Sequence, residues 1–152
     1  MTSGAWIAVT AVALALAFGL WRLATDGRFR GTHAVRRSGA VAPPDDAPAE
    51  RPAADLVAAL GEPLGDRATL LQFSSAFCAP CRATRRVLAE VASLVDGVAH
   101  VEVDAEHHLD ATRALSILRT PTTVVLDATG AEVTRATGAP TRDQVLSALA
   151  RL

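Results

Sequence analysis

The only two cysteines of this 152-residue chain lie three positions apart, as Cys78-Ala79-Pro80-Cys81, where an apolar run gives way to an amphipathic one. Thr69-Leu70-Leu71-Gln72-Phe73 reads as a buried strand and Arg82 to Val95 as a helix, so the pair sits where a strand hands over to a helix N-terminus. Cysteines this close cannot form a long-range disulfide framework, and the fold must be held by a hydrophobic core. Backbone N–H groups and the positive end of the helix dipole stabilise an anion at such a junction, which favours thiolate over thiol at Cys78. A second thiol at Cys81 can close a disulfide within one turn. The arrangement describes a reversible dithiol.

The length allows one domain of ordinary size with accessories. A formal net charge of −1 gives no reason to expect nucleic acid or an acidic partner. The first twenty-one residues stand apart: Met1 to Trp21 carries no charged side chain, and Ala5 to Leu20 is almost wholly apolar. Seventeen or eighteen helical residues span roughly 26 Å, close to the thickness of a hydrocarbon core. Trp6 and Trp21, the only tryptophans, bracket the stretch as interfacial anchors do. The favoured reading is a transmembrane helix over 1–21.

Two alternatives compete with it. A cleaved signal peptide needs a basic start, which Met1-Thr2-Ser3-Gly4 lacks, and apolar residues continue past the small-residue site Ala15-Leu16-Ala17. A buried core helix is the other, although no polar face appears along the segment. Arg22, Arg28, Arg30, Arg36 and Arg37 follow against the single acid Asp26. By the positive-inside rule this flank, and the soluble domain after it, face the cytoplasm in a single-pass cell-membrane protein. An extracytoplasmic domain is the alternative.

Residues 22–54 read as a basic, then proline-rich linker containing Pro43, Pro44, Pro48 and Pro52. Its basic start is either a solvated flank or a contact for anionic lipid. From 55 to 152 the pattern gives a short helix at Asp55–Leu60, then strand Ala68–Phe73, helix Pro80–Val95 and strand Ala99–Val103. Helix Leu109–Ile117, strands Thr122–Leu126 and Glu132–Ala136 and helix Thr141–Leu152 complete it. Asp127-Ala128-Thr129-Gly130 closes a hairpin, and Thr141 caps the last helix. The order βαβαββα predicts an α/β fold with a mixed sheet.

Four motifs in this order make residues 55–152 resemble a thioredoxin-fold domain. Phe73-Ser74-Ser75-Ala76-Phe77-Cys78-Ala79-Pro80-Cys81-Arg82 is similar to the family's strand–loop–helix active site, and Val101-Glu102-Val103-Asp104 to its following strand. Arg119-Thr120-Pro121-Thr122 resembles the loop that holds a cis-proline, and Gly138-Ala139-Pro140-Thr141 the approach to the last helix. The whole chain looks like a membrane-anchored, TlpA/ResA-like thiol-disulfide oxidoreductase.

The resemblance implies roles residue by residue. Cys78 attacks a substrate disulfide and Cys81, more buried, resolves the mixed disulfide. Pro121 is cis, Thr120 presents its backbone to an extended peptide, and Phe77 joins them in binding substrate. An ordinary trans-proline at a strand start is the other reading of Pro121. Pro80 suits the first helical turn, where a missing N–H costs nothing. Gln72 stands where many thioredoxins carry a buried Asp that relays a proton, and Gln cannot ionise. A proton-shuttling part for His100, at a position often basic in the family, is a further reading.

The competing account of the cysteines is half a zinc site, which needs two more ligands. His100, His107 and His108 lack the usual His-x3–5-His spacing, so no metal is expected. The expected redox group is the Cys78–Cys81 disulfide itself, with no other cofactor. Expected partners are protein disulfide substrates, membrane lipid around the N-terminal helix, and an electron donor: thioredoxin reductase or a membrane thiol carrier. A tethered binding or assembly module using the same surface is the alternative from another functional class.

Overall fold

The computed structural model describes residues 3–31 and 51–152. In chain order the elements are α1 (Ser3–Thr25), β1 (Phe29–Gly31), α2 (Pro52–Ala59), β2 (Ala68–Ser74) and α3 (Ala79–Leu94). There follow β3 (Val98–Asp104), α4 (Leu109–Ala114), β4 (Thr122–Asp127), β5 (Glu132–Thr137) and α5 (Arg142–Leu149). The five strands form one sheet in the order β1-β5-β4-β2-β3. Only β2 and β3 run parallel; β2–β4, β4–β5 and β1–β5 are antiparallel. Elements β2 to α5 reproduce the expected βαβαββα order of the thioredoxin fold.

Side-chain alternation along the strands sorts the core into two layers. Leu71 and Phe73 of β2, Val101 and Val103 of β3, and Val124 and Leu126 of β4 pack with Leu56 and Val57 of α2 and with Leu115 and Ile117. On the other face Ala68, Leu70 and Val125 meet Leu88 and Val91 of α3 and Val145 and Leu149 of α5. Every residue of β2 is buried, as a strand hydrogen-bonded on both sides and covered on both faces must be.

Boundaries agree with the sequence pattern to within a residue or two except at three places. Helix α4 stops at Ala114, where the pattern continues to Ile117. Ser116 turns to a positive φ of 53°, the Ile117 N–H donates to the Thr112 carbonyl, and Ile117 folds back into the core. Helix α5 ends at Leu149 and leaves Leu152 exposed; its N-terminus is a capping box in which Thr141 and Gln144 exchange hydrogen bonds.

The third difference lies in the stretch expected to be linker from 22 to 54. Helix α1 runs on to Thr25, and Phe29–Gly31 pair with Thr134–Ala136 as an edge strand. Three residues with an arginine at their centre are too few to show a strand's alternation. Pro52 belongs to α2, while Pro43, Pro44 and Pro48 lie outside the described residues. Helix α1 itself, over Gly4–Arg22, is long and apolar enough to cross a membrane, and its described side chains are largely exposed.

The α3-facing layer also holds polar groups. Thr84 on α3 and Thr123 on β4 are fully buried, and among the described residues neither Oγ1 has a hydrogen-bond partner. A buried hydroxyl left unpaired costs about 1–3 kcal/mol of desolvation, whereas an apolar group of the same shape does not. Thr123→Val is therefore expected to raise unfolding stability by about 1 kcal/mol, read as a higher urea midpoint at unchanged slope.

Candidate active site

The burial of β2 ends where the chain carries Cys78 toward the surface. The chain leaves the sheet at Ser74, turns, and re-enters regular structure at α3, whose N-cap is Cys78. The Cys78 Sγ accepts the Cys81 N–H at 3.1 Å, so an N-terminal donor of the helix points at this sulfur. The two cysteines are joined in a disulfide with Cα atoms 5.2 Å apart. Cys78 is half-buried; Cys81 is 2% exposed. Pro80 occupies the first turn of α3, as the sequence predicts.

Behind Cys81 lies a polar cluster on the α3 face of the sheet. Gln72 is fully buried, and its Nε2 donates to the Cys81 carbonyl at 3.0 Å. A carbonyl only accepts, so the Gln72 amide orientation is fixed and its Oε1 faces His100 Nε2 at 3.2 Å. The proton of the neutral His100 ring therefore sits on Nε2. One turn of pleat further on, Glu102 accepts from Ser74 Oγ at 2.7 Å and from the Arg85 guanidinium at 2.8 Å. Glu102, Arg85 and Arg82 share with both cysteines a cleft of about 330 Å³. Asp104, at its edge, is held below the usual carboxylate range chiefly by the Glu106 N–H, with His107 beside it.

The loop before β4 approaches from the other side. The Thr120–Pro121 bond is cis, Pro121 is buried, and Thr120 Oγ1 lies 3.3 Å from Ser75 Oγ of the cysteine loop. Phe77 stands 97% exposed next to Cys78. The structure thus brings Phe77, Cys78, Pro80, Cys81, Thr120 and Pro121 to one end of the sheet.

Four participants had no assigned role in the sequence reading. Leu118 is 94% exposed two residues before Thr120 and adds a second apolar side chain to this rim. Arg119 donates to Asp26 Oδ1 at 3.1 Å and to the Thr137 carbonyl at 3.2 Å. Glu102 is legible in the sequence only as one residue of the Val101-Glu102-Val103-Asp104 strand motif. Asp26 and Arg119 are ninety-three residues apart, and no local pattern links them. Among the described residues no group of three or more His, Cys, Asp or Glu side chains is placed to hold a metal ion.

Burial holds the His100 imidazole below its ordinary value near 6.5; Glu102 opposes the shift and Arg85 adds to it. The unfolded chain therefore takes up this proton before the folded one does. Below pH 6.5 the unfolded state binds more protons, and stability falls as pH falls. His100→Gln is expected to flatten the decline in urea midpoint between about pH 7 and about pH 5. Asp104 and Asp127, with carboxyls held below 3.8, act only at lower pH.

Residues 57–151, well over half of the chain, match the thioredoxin family. No curated protein matches the chain. Among solved structures, Fasciola hepatica thioredoxin is 28% identical with a TM-score of 0.54, over 65% of this chain and 92% of that one. Chloroplastic thioredoxin z is 26% identical with a TM-score of 0.53, over 64% and 86%. A mutant thioredoxin from Halobacterium salinarum, 20% identical with a TM-score of 0.53 over 57% and 74%, shares the fold. With that fold around a Cys-x-x-Cys disulfide at Cys78 and Cys81, the chain belongs to the thioredoxin family and is a thiol-disulfide oxidoreductase.

Proposed function

We propose that the protein reduces disulfides in other proteins at a membrane surface, with Cys78 as attacking and Cys81 as resolving thiol. The observation that carries the division of labour is the N-cap geometry: Cys78 Sγ accepts a helix N–H at the more open end of the pair, while Cys81 is buried. In the reduced protein the same N–H and the helix dipole stabilise the Cys78 thiolate. That thiolate attacks one sulfur of a substrate disulfide, a Cys78–substrate bond forms, and the displaced substrate thiolate takes up a proton. Cys81, deprotonated, then attacks Cys78 Sγ and releases the second substrate thiol. Two electrons have passed to the substrate, and the Cys78–Cys81 disulfide awaits a donor dithiol. Thr120, Pro121 and Phe77 would seat the substrate strand.

Reduction rather than oxidation is favoured by Ala79-Pro80, which places no cationic side chain between the cysteines. Gln72 cannot take the proton of Cys81, so this proton leaves through water or another group. The exposed apolar α1 supports a single-pass, TlpA/ResA-like anchor, and the following arginines support a cytoplasmic domain. A cytoplasmic domain would draw electrons through thioredoxin reductase, an extracytoplasmic one from a membrane thiol carrier.

Four results are expected. Cys78→Ser reduces insulin only at the uncatalysed rate, whereas Cys81→Ser accumulates mixed disulfides visible on non-reducing gels. Equilibration with glutathione gives a potential near thioredoxin's, about −270 mV; a value near −120 mV, typical of a strong oxidant, sinks the reductase reading. Cells carrying Cys78→Ser/Cys81→Ser lose the function; full retention would favour a tethered binding module.

A further inference from the structure

Only Asp26, Gly27 and Arg28 separate the last residue of α1 from the first residue of β1. At full extension that gap spans no more than roughly 15 Å. The proline-rich stretch follows β1 in the chain and so does not set this distance. The short connection is also fastened to the loop that carries the cis-proline. The Gly27 N–H donates to the Thr137 carbonyl at 3.0 Å, and Asp26 accepts from Arg119, the residue before Thr120. The Gly138 N–H donates to the Pro121 carbonyl at 2.8 Å.

Two glycines make the approach possible. A Cβ at Gly27 (φ +70°) would strike the Ala139 carbonyl, and one at Gly138 (φ +100°) would strike the Asp26 carboxylate. Beside this strap lies a second cleft, of about 410 Å³. Pro80, Thr120 and Pro121 line one side, and Gly19 and Arg22 of α1 line the other. The wall opposite the cis-proline is thus the end of the apolar helix itself.

We infer that this cleft receives an extended segment of another membrane-anchored protein, one whose disulfide lies within a few residues of its own membrane-spanning helix. The inference rests on the reading of α1 as a membrane anchor and names the substrate class for the dithiol. Arg22 is the first charged residue after the apolar run, so it marks the edge of the hydrocarbon. A cleft lined by Gly19 and Arg22 then opens at the level of the lipid headgroups. A disulfide carried far from the bilayer on a soluble domain reaches Cys78 without this wall, and only a membrane-proximal one can use it.

The test uses the full chain, pre-reduced and reconstituted in phosphatidylcholine vesicles, in single-turnover reactions with two synthetic probes. Each probe carries one membrane-spanning Leu/Ala helix and one intramolecular disulfide, placed either about three or about thirty residues from the helix end. The near probe is expected to oxidise the chain about tenfold faster. Inserting about ten Gly/Ser residues between Thr25 and Asp26 should bring the two rates together by freeing the domain from the helix end. The same insertion should leave the rate with soluble insulin unchanged. Equal rates for the two probes in the unaltered chain overturn the inference whatever the insertion does, as does a preference that survives the insertion in a protein still active on insulin. Release of the chain from vesicles by alkaline carbonate overturns the anchor reading and this inference with it; retention without a preference overturns only this inference.

Discussion

The complete burial of β2 is the constraint on which the rest of the molecule depends. It is hydrogen-bonded to β3 on one side and to β4 on the other, and both its faces are covered by helices. A chain leaving such a strand can return to water only at its end, and here that end is followed by Cys78 at the start of α3. The parallel pairing with β3 requires a crossover, which α3 supplies, so its N-terminus is held at the carboxyl edge of the sheet. The same pairing brings His100 and Glu102 alongside Gln72. The position of the dithiol and the chemistry beneath it follow from one strand.

The central buried position beneath the dithiol holds Gln72, which does not ionise. Gln72 fixes the Cys81 carbonyl and the tautomer of His100 together, through two hydrogen bonds of one amide. A carboxylic acid buried at this position would meet a desolvation cost whenever it ionised. An amide holds the same geometry without a charge, and it leaves the neighbouring carboxylate, Glu102, tied to Arg85 and Ser74 at the cleft wall.

The connection between the apolar helix and the domain has a different physical character from a flexible tether. It is short, hydrogen-bonded and seated where two glycines leave room for it. Its ion pair, Asp26 with Arg119, is half-exposed, and pairs of that kind contribute little to stability. The edge strand and the Gly27–Thr137 hydrogen bond carry more of the attachment, because backbone groups have few ways to be satisfied.

The sequence by itself determined the elements from α2 to α5, their βαβαββα order with a mixed sheet, and the approach of Cys78 to a helix start. These are written in local patterns: apolar runs bounded by turns, the Thr141 cap, and helical spacing at Val145, Leu146 and Leu149. It also carried the cis-proline at Pro121, through resemblance of a short motif and not through any local energy. The strand at Phe29–Gly31 was beyond such reading, since three residues with Arg30 at their centre show no period and it is pairing with β5 that makes them a strand. The tertiary structure alone decided that Gln72 links Cys81 to His100 and that Asp26 meets Arg119 beside the cis-proline. Both depend on partners nine to ninety-three positions away. Contacts of that range come from the folding of the sheet, which no local window of sequence contains.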